Sequence, residues 1–335
     1  MLYKDTKISV LGDGGWGTTL ALLLAEKGYG VRLWGAFPKY TEEISRKREN
    51  IKFLPGFRIP ESVHLTSDIQ EACRHADMAI LAVPAQFMRS VLKKVRKAKE
   101  RPLSYVSVAK GIEKKSLKIM SEVVREELGR VPLGVISGPC IAREVACKMP
   151  SAASVASKSP ELLKKIRKIF ETDSFTLFEN DDIVGVELGG SIKNVIAICS
   201  GIVEGLGFGS NTRAVLFARG VAEMARLGQA MGAQRETFMG LSGLGDLATT
   251  CLSPQSRNRW LGEEIGQGRA LKTLLKGTEM IVEGVATAEA VYQLAKKHKV
   301  SMPISEAVYH TLFRGEDPRQ AVKALMRREP YRENQ

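Results

Sequence analysis

An apolar pentad that runs straight into a glycine-rich turn constrains this chain more than any other feature. Lys7-Ile8-Ser9-Val10-Leu11 reads as a buried strand, and Gly12-Asp13-Gly14-Gly15-Trp16-Gly17 follows without a break. Thr18 to Lys27 then reads as a helix and Val31 to Trp34 as a second strand. Strand, tight turn, helix and strand in this order open a parallel βαβ unit with the G-x-G-x-x-G spacing. Gly12 permits the turn, Gly14 lets a pyrophosphate approach the backbone, and Gly17 lets the helix lie close on the strand. Free N–H groups and the positive end of the helix dipole favour an anion at that point. The expectation is a dinucleotide site. The competing reading is a glycine-rich turn that binds nothing.

The alternation continues. Ala76 to Pro84, Ser104 to Val108, Leu133 to Ile136, Ser151 to Ala156 and Phe175 to Phe178 read as strands, with helices at Gln86 to Lys97 and Pro160 to Phe170. Such a pattern predicts a mostly parallel sheet covered by helices. After Asn180-Asp181-Asp182 the strands stop. Helical periodicity follows at Gly185 to Glu204, Asn211 to Met231, Gln255 to Gln267, Val285 to His298, Ile304 to Phe313 and Pro318 to Met326. The expected fold is therefore α/β, with an N-terminal Rossmann-type doubly wound sheet over 1–182 and a C-terminal all-α domain over 183–330. Residues 331–335 are expected to form a polar tail.

The 335 residues suit two domains, and 44% hydrophobic content supplies ordinary cores. No uninterrupted apolar run reaches the ~18 residues of a membrane span. The first strand is expected to begin by Lys7, so no signal peptide is expected ahead of it. Cys73, Cys140, Cys147, Cys199 and Cys251 are odd in number and scattered, so neither a disulfide framework nor a metal site is suggested. A reduced, cytoplasmic protein is the simplest expectation. The net charge of +13 fits nucleic acid, an anionic membrane or small phosphorylated ligands. Its basic runs, Lys93 to Lys97 and Lys164 to Lys168, alternate with apolar residues at helical spacing. They read as solvated helix faces, and no nucleic-acid motif accompanies them.

In a doubly wound sheet, ligands lie beyond the carboxyl ends of the strands. Lys110 follows one strand and precedes Gly111, while Gly138-Pro139-Cys140 follows the next. Spacing alone leaves Lys110 open between substrate contact and surface lysine. Glu187 to Ile198 is an apolar helix interrupted by Gly189-Gly190 and by Lys193-Asn194. Paired glycines within a helix cost about 1 kcal/mol each relative to alanine, so they signal close approach of backbone or ligand. A buried Lys193 could transfer a proton near neutral pH, or it could snorkel. Leu241 to Leu247 sets Asp246 in what reads as a glycine-rich loop, able to tune a lysine. Gln255-Ser256-Arg257-Asn258-Arg259 offers a phosphate grip or a solvated helix start. His64, His75, His298 and His310 lie outside these clusters, which favours lysine as the acid–base group.

Together these segments resemble the NAD(P)-dependent glycerol-3-phosphate dehydrogenases of the soluble bacterial type. The matching stretches are GDGGWGT at 12–18, NIKFLPG at 50–56, VAKGIE at 108–113, VISGPCIAREVA at 135–146, GVELGGSIKNVIAI at 185–198, LSGLGDLATTC at 241–251, SRNR at 256–259 and VEG at 282–284. The resemblance implies reversible reduction of dihydroxyacetone phosphate to sn-glycerol 3-phosphate with NAD(P)H, feeding phospholipid synthesis. It implies Lys193 as proton donor and acceptor, with Lys110 and Asp246 beside it. Gly138, Cys140, Ser256, Arg257 and Asn258 would complete the substrate site. Gly12, Gly14, Gly15, Trp16, Gly17, Ala36, Phe37, Phe53, Lys110, Ala142, Arg257, Ile281 and Glu283 would meet the cofactor. A small phosphorylated substrate and a homodimer are implied, with no metal, nucleic acid or stable membrane association.

Two positions depart from the pattern. Asp13 stands where alanine is common, and a carboxylate there is unfavourable beside a pyrophosphate unless it points to solvent. Cys140 replaces a small hydroxyl residue, giving a weaker donor and a route to oxidation. The second strand ends Trp34-Gly35-Ala36-Phe37-Pro38-Lys39, without the acid that usually reads the ribose 2′-hydroxyl. Lys39 or Arg32 could instead meet a 2′-phosphate, so dual cofactor use with a lean to NADPH is expected. A 6-phosphogluconate or β-hydroxyacid-type dehydrogenase is the alternative enzyme. A non-catalytic nucleotide sensor is the alternative class, and Lys110, Lys193, Asp246 and Arg257 together argue against it.

Overall fold

The computed structural model describes residues 6–277 and 281–327. The expected tail at 331–335 and the last residues of the helical half, 328–330, lie outside them. The chain opens with β1 (Lys7–Leu11), α1 (Gly15–Glu26) and β2 (Gly30–Trp34). Next come α2 (Pro38–Lys47), a small hairpin of β3 (Glu49–Asn50) and β4 (Leu54–Arg58), then β5 (Val63–Thr66) and α3 (Ile69–Cys73). Then follow β6 (Met78–Leu81), α4 (Ala85–Arg96), β7 (Ser104–Ser107), α5 (Met120–Leu128), β8 (Leu133–Ser137) and α6 (Ala142–Ala146). β9 (Ser151–Ser157), α7 (Pro160–Phe170) and β10 (Phe175–Asn180) complete this half.

Eight of these strands form one sheet in the order β10-β9-β8-β7-β6-β1-β2-β5. From β8 to β5 every pairing is parallel, so β1, β2, β6, β7 and β8 point their carboxyl ends the same way. β9 pairs antiparallel with β8, an inversion that the alternating pattern does not predict. Both faces are covered, which is why β6 reads Met-Ala-Ile-Leu and is buried throughout. Two apolar clusters fill the space between sheet and helices.

From Ile183 onward the described residues form only helices and turns: α8 (Ile183–Gly205), α9 (Ser210–Ala230), α10 (Asp246–Leu252), α11 (Arg257–Gly266), α12 (Leu271–Lys276), α13 (Glu283–His298), α14 (Pro303–Arg314) and α15 (Pro318–Arg327). α8 is the axis of this half, wrapped by α9, α10, α11, α13 and α14 around a third apolar cluster. Among the described helices it alone is long and apolar enough to cross a bilayer. Nearly all of it is buried inside the protein, as befits a core helix.

Candidate active site

Lys110 leaves the carboxyl end of β7, Gly138 that of β8, and Lys193 the middle of α8. These three segments converge on one carboxylate. Lys193 Nζ donates to Asp246 Oδ1 at 2.9 Å, and Lys110 Nζ donates to Asp246 Oδ2 at 2.8 Å. Lys110 also donates to the Gly138 carbonyl at 2.7 Å. Lys193 and Asp246 are buried, and Lys110 is partly covered. The Gly189-Gly190 pair is explained by close approach. A Cβ at Gly189 would lie 2.6 Å from the Ser242 carbonyl oxygen, and one at Gly190 would lie 3.5 Å from Lys110 Cγ and 3.3 Å from Ser137 Cβ. Both glycines let α8 sit against the segments that bring in its partners.

The stretch expected to be a glycine-rich loop is helical. Leu241–Gly245 forms a π-helical turn that runs directly into α10, and Asp246 opens that α-helix. A π turn carries one extra residue per hydrogen-bonded ring, and glycines accommodate it here against the Phe238 backbone. The helix supplies a residue that the sequence reading missed. Thr250 lies one turn after Asp246, accepts from Lys193 Nζ, and donates to the Asp246 carbonyl at 2.7 Å. Asp246 and Thr250 at i and i+4 share one helix face, a signal visible only once the segment is known to be helical.

Two lysines share one carboxylate with unequal effect. Burial lowers the Lys193 pKa below the ordinary lysine value; Asp246 opposes the shift, and the neighbouring Lys110 charge adds to it. Burial is the largest single influence on the Lys110 ammonium and disfavours it, but attraction to Asp246, the hydrogen bond between them and the neighbouring Cys140 together outweigh it and raise that pKa. Lys193 is therefore the group that more readily gives up its proton, and Lys110 the fixed cation. Burial pushes the Cys140 thiol up to about 12. It is a neutral thiol at physiological pH, which removes the thiolate that ready oxidation requires.

Asn258 joins this cluster to α13. Its Nδ2 donates to Asn194 Oδ1 at 2.8 Å, and its Oδ1 accepts from Gly284 N at 3.0 Å. Ser256 caps α11 by accepting from Arg259 N at 3.2 Å. Arg257 is exposed and donates to the Ile281 carbonyl at 2.9 Å, leaving the rest of its guanidinium free for a ligand. Glu283 spans the two halves: its Oε1 accepts from Ala85 N at 3.0 Å, beside the end of β6, while Oε2 is buried without a partner among the described residues. Burial pushes its carboxyl up to about 7.

The β1–α1 turn fits a dinucleotide pyrophosphate. Gly12 has φ +125°, and a Cβ there would lie 2.6 Å from the Ala82 carbonyl oxygen. Space above Gly14 is open, with nothing within 4 Å of a Cβ position. Gly14 caps α1 without a side-chain bond, and no acid stands in the first turn of that helix. Phe53 presents its carbonyl oxygen 2.7 Å from the Cβ position of Gly15, and Ala142 lies 3.8 Å from it. The Trp16 ring packs edge-on against Phe175, with centroids 6.3 Å apart. Ala36 and Phe37 are exposed just beyond β2. They are not near the lysine cluster, since β2 lies three strands from β7. At ~4.8 Å per strand that is the reach of an extended dinucleotide. His64 and His75 pair with Glu71 and Glu100, away from this region.

Comparison with known proteins agrees with this architecture. The profile of the NAD-dependent glycerol-3-phosphate dehydrogenase N-terminus matches residues 7–163, and that of its C-terminus matches residues 182–323. A glycerol-3-phosphate dehydrogenase [NAD(P)+] of Citrifermentans bemidjiense is 48% identical over 96% of this chain and 97% of that protein. One from Chlorobium limicola is 44% identical over 97% of this chain and 99% of that protein. A crystal structure of glycerol-3-phosphate dehydrogenase from Coxiella burnetii superposes with a TM-score of 0.94 at 38% identity, covering 97% of this chain and 100% of that one. The chain belongs to the NAD-dependent glycerol-3-phosphate dehydrogenase family.

Proposed function

We propose that this protein reduces dihydroxyacetone phosphate to sn-glycerol 3-phosphate with a nicotinamide cofactor, reversibly, and that Lys193 moves the proton. The observation that carries the assignment of roles is the buried Lys193–Asp246–Lys110 cluster at the strand ends. Bound there, the nicotinamide supplies or accepts the hydride. The chain's own residues handle the charge. Reduction of a ketone develops negative charge on its oxygen, and Lys193 delivers a proton to that oxygen. Lys110 holds positive charge beside it throughout, as a preorganised electrostatic group. Asp246 orients both ammonium groups and favours the charged form of Lys193, which takes its next proton from solvent between turnovers.

Arg257, with Ser256 and Asn258 holding the start of α11, grips the substrate phosphate, and Gly138 and Cys140 line the other wall. Arg257 suits this because a guanidinium meets phosphate in a bidentate manner. Gly12 to Gly17 hold the pyrophosphate; Phe53, Ala142, Ile281 and Glu283 flank the cofactor, and Ala36 and Phe37 lie at its adenosine end. On this reading residues 1–182 serve the cofactor and 183–330 the substrate. The family match does not favour the 6-phosphogluconate or β-hydroxyacid-type alternative. A cytoplasmic homodimer that supplies glycerol phosphate for phospholipid synthesis completes the proposal.

The test is oxidation of NADH and NADPH by purified protein with dihydroxyacetone phosphate, beside a Lys193→Ala control. Turnover is expected in the wild type and a drop in kcat of about 100-fold or more in the control, the scale of a lost general acid. Equal kcat in the two proteins refutes the role of Lys193. No turnover in the wild type refutes the reaction.

A further inference from the structure

The end of β2 lacks an acid, and the turn after β1 brings a carboxylate, Asp13, beside it. Gly12 N donates to the Trp34 carbonyl at 2.9 Å, which ties the β1 turn to the last residue of β2 and sets Asp13 beside Gly35. A Cβ at Gly35 would collide with the Asp13 carboxylate, whose Cγ lies 2.8 Å from that position. The Asp13 side chain thus fills the space that a side chain on Gly35 would take. Its backbone is fixed as well: the Asp13 carbonyl accepts from Asn50 Nδ2 at 2.7 Å and from Thr18 Oγ1 at 3.5 Å.

The carboxylate does not turn to solvent, the condition under which it would have been harmless. Asp13 is only 9% exposed, and its Oδ2 is buried with no hydrogen-bond partner among the described residues. Such a group needs a donor, since a buried acceptor left unpaired is costly. Thr41 Oγ1 is close to the same Gly35 position, but it donates to the Phe37 carbonyl at 3.1 Å. Burial pushes the Asp13 carboxyl up to about 6, which leaves it ionised at neutral pH. Neither cation expected to welcome a 2′-phosphate is paired with Asp13 Oδ2. Arg32 donates to the Arg74 carbonyl, and Lys39 is exposed in the first turn of α2.

We infer that Asp13 performs the ribose-reading role that position 35 cannot, accepting a hydrogen bond from the adenosine 2′-hydroxyl and repelling a 2′-phosphate. The protein is then selective for NADH over NADPH, the reverse of the lean expected from the β2 sequence. This inference rests on the dinucleotide site proposed above.

Cofactor binding without substrate tests it, by calorimetric titration of NADH and NADPH into the wild type, Asp13→Asn and Asp13→Ala. The ratio of the two Kd values is the quantity to compare, because repulsion between Asp13 and the pyrophosphate is common to both cofactors and cancels. The wild type is expected to bind NADH at least about tenfold more tightly, the scale of one specificity-determining contact. Asp13→Asn keeps a hydrogen-bond acceptor and loses the charge, so NADPH affinity should rise about tenfold with NADH little changed. Asp13→Ala should also weaken NADH several-fold. Thermal melting checks that both variants fold. A wild type that binds NADPH as well as NADH overturns the inference, as does a ratio unchanged within about twofold in folded variants. Failure of the wild type to bind either cofactor overturns the dinucleotide site itself, and this inference with it.

Discussion

A proton on Lys193 is held chiefly by Asp246 and released by burial and the charge of Lys110, and the release wins. The sign of the pH dependence follows. Ketone reduction needs the protonated amine, so kcat for reduction falls as pH rises through a pKa below the ordinary lysine value. Alcohol oxidation needs the neutral amine and rises over the same range. Asp246→Asn removes the main stabilising charge, so that limb should move to still lower pH, with kcat down at least about tenfold. A pH–rate profile of the variant checks this, and a limb that stays in place or moves to higher pH refutes the role given to Asp246. The lysine and the carboxylate were each legible in the sequence, because a charge inside an apolar helix and an acid among glycines are both anomalous. Spacing does not show their partnership, since 53 residues separate Lys193 from Asp246 and 136 separate Lys110 from it; only the family resemblance implied it. Thr250 was invisible for a different reason: a threonine on a short helix looks like any other until its hydrogen bonds are seen.

At the scale of elements, the site depends on how closely α8 approaches the π-helical turn before α10. Gly189→Ala would add a methyl group 2.6 Å from the Ser242 carbonyl oxygen, and backbone cannot rotate away as a side chain can. The alanine gains about 1 kcal/mol of helix propensity, against overpacking of about 1–3 kcal/mol. The net expectation is a variant of equal or lower melting temperature with Asp246 displaced from Lys193. A kcat loss of about tenfold or more should accompany it, the scale set by misplacing catalytic groups. Full activity at an unchanged melting temperature would show that the turn yields freely. The long elements were readable from periodicity alone, and α7 begins and ends where expected, because Ser159 caps it, Pro160 starts it and its apolar face is continuous. Other elements went unread: the helices α2, α3, α5 and α12 and the strand β5. The β3–β4 hairpin and α6 are too brief to show a period. The π turn hid behind the usual association of glycine with loops, and the antiparallel β9 left no local mark, since strand direction is a property of the sheet.

For the molecule as a whole, the charge of +13 must be placed before it can be interpreted. On α4 the apolar residues Val91, Leu92 and Val95 are buried while Lys93, Lys94 and Arg96 face outward, and α7 repeats the arrangement with Leu162, Leu163, Ile166 and Ile169 inside. These basic residues lie on solvated faces of the sheet's covering helices, and their charge reaches a ligand only through the field of the whole protein. Such a field speeds the encounter with an anionic substrate, and it is screened over about 10 Å at 0.1 M salt. The buried Lys193–Asp246 pair is shielded from mobile ions and screened much less. Salt should therefore separate encounter from chemistry. Between about 20 and 300 mM sodium chloride, kcat/KM for dihydroxyacetone phosphate should fall several-fold while kcat stays within about twofold. A kcat/KM that does not change would mean that the basic faces serve only solubility. A kcat that falls in step with it would mean that salt reaches the lysine cluster, and that the cluster is less closed than its burial indicates.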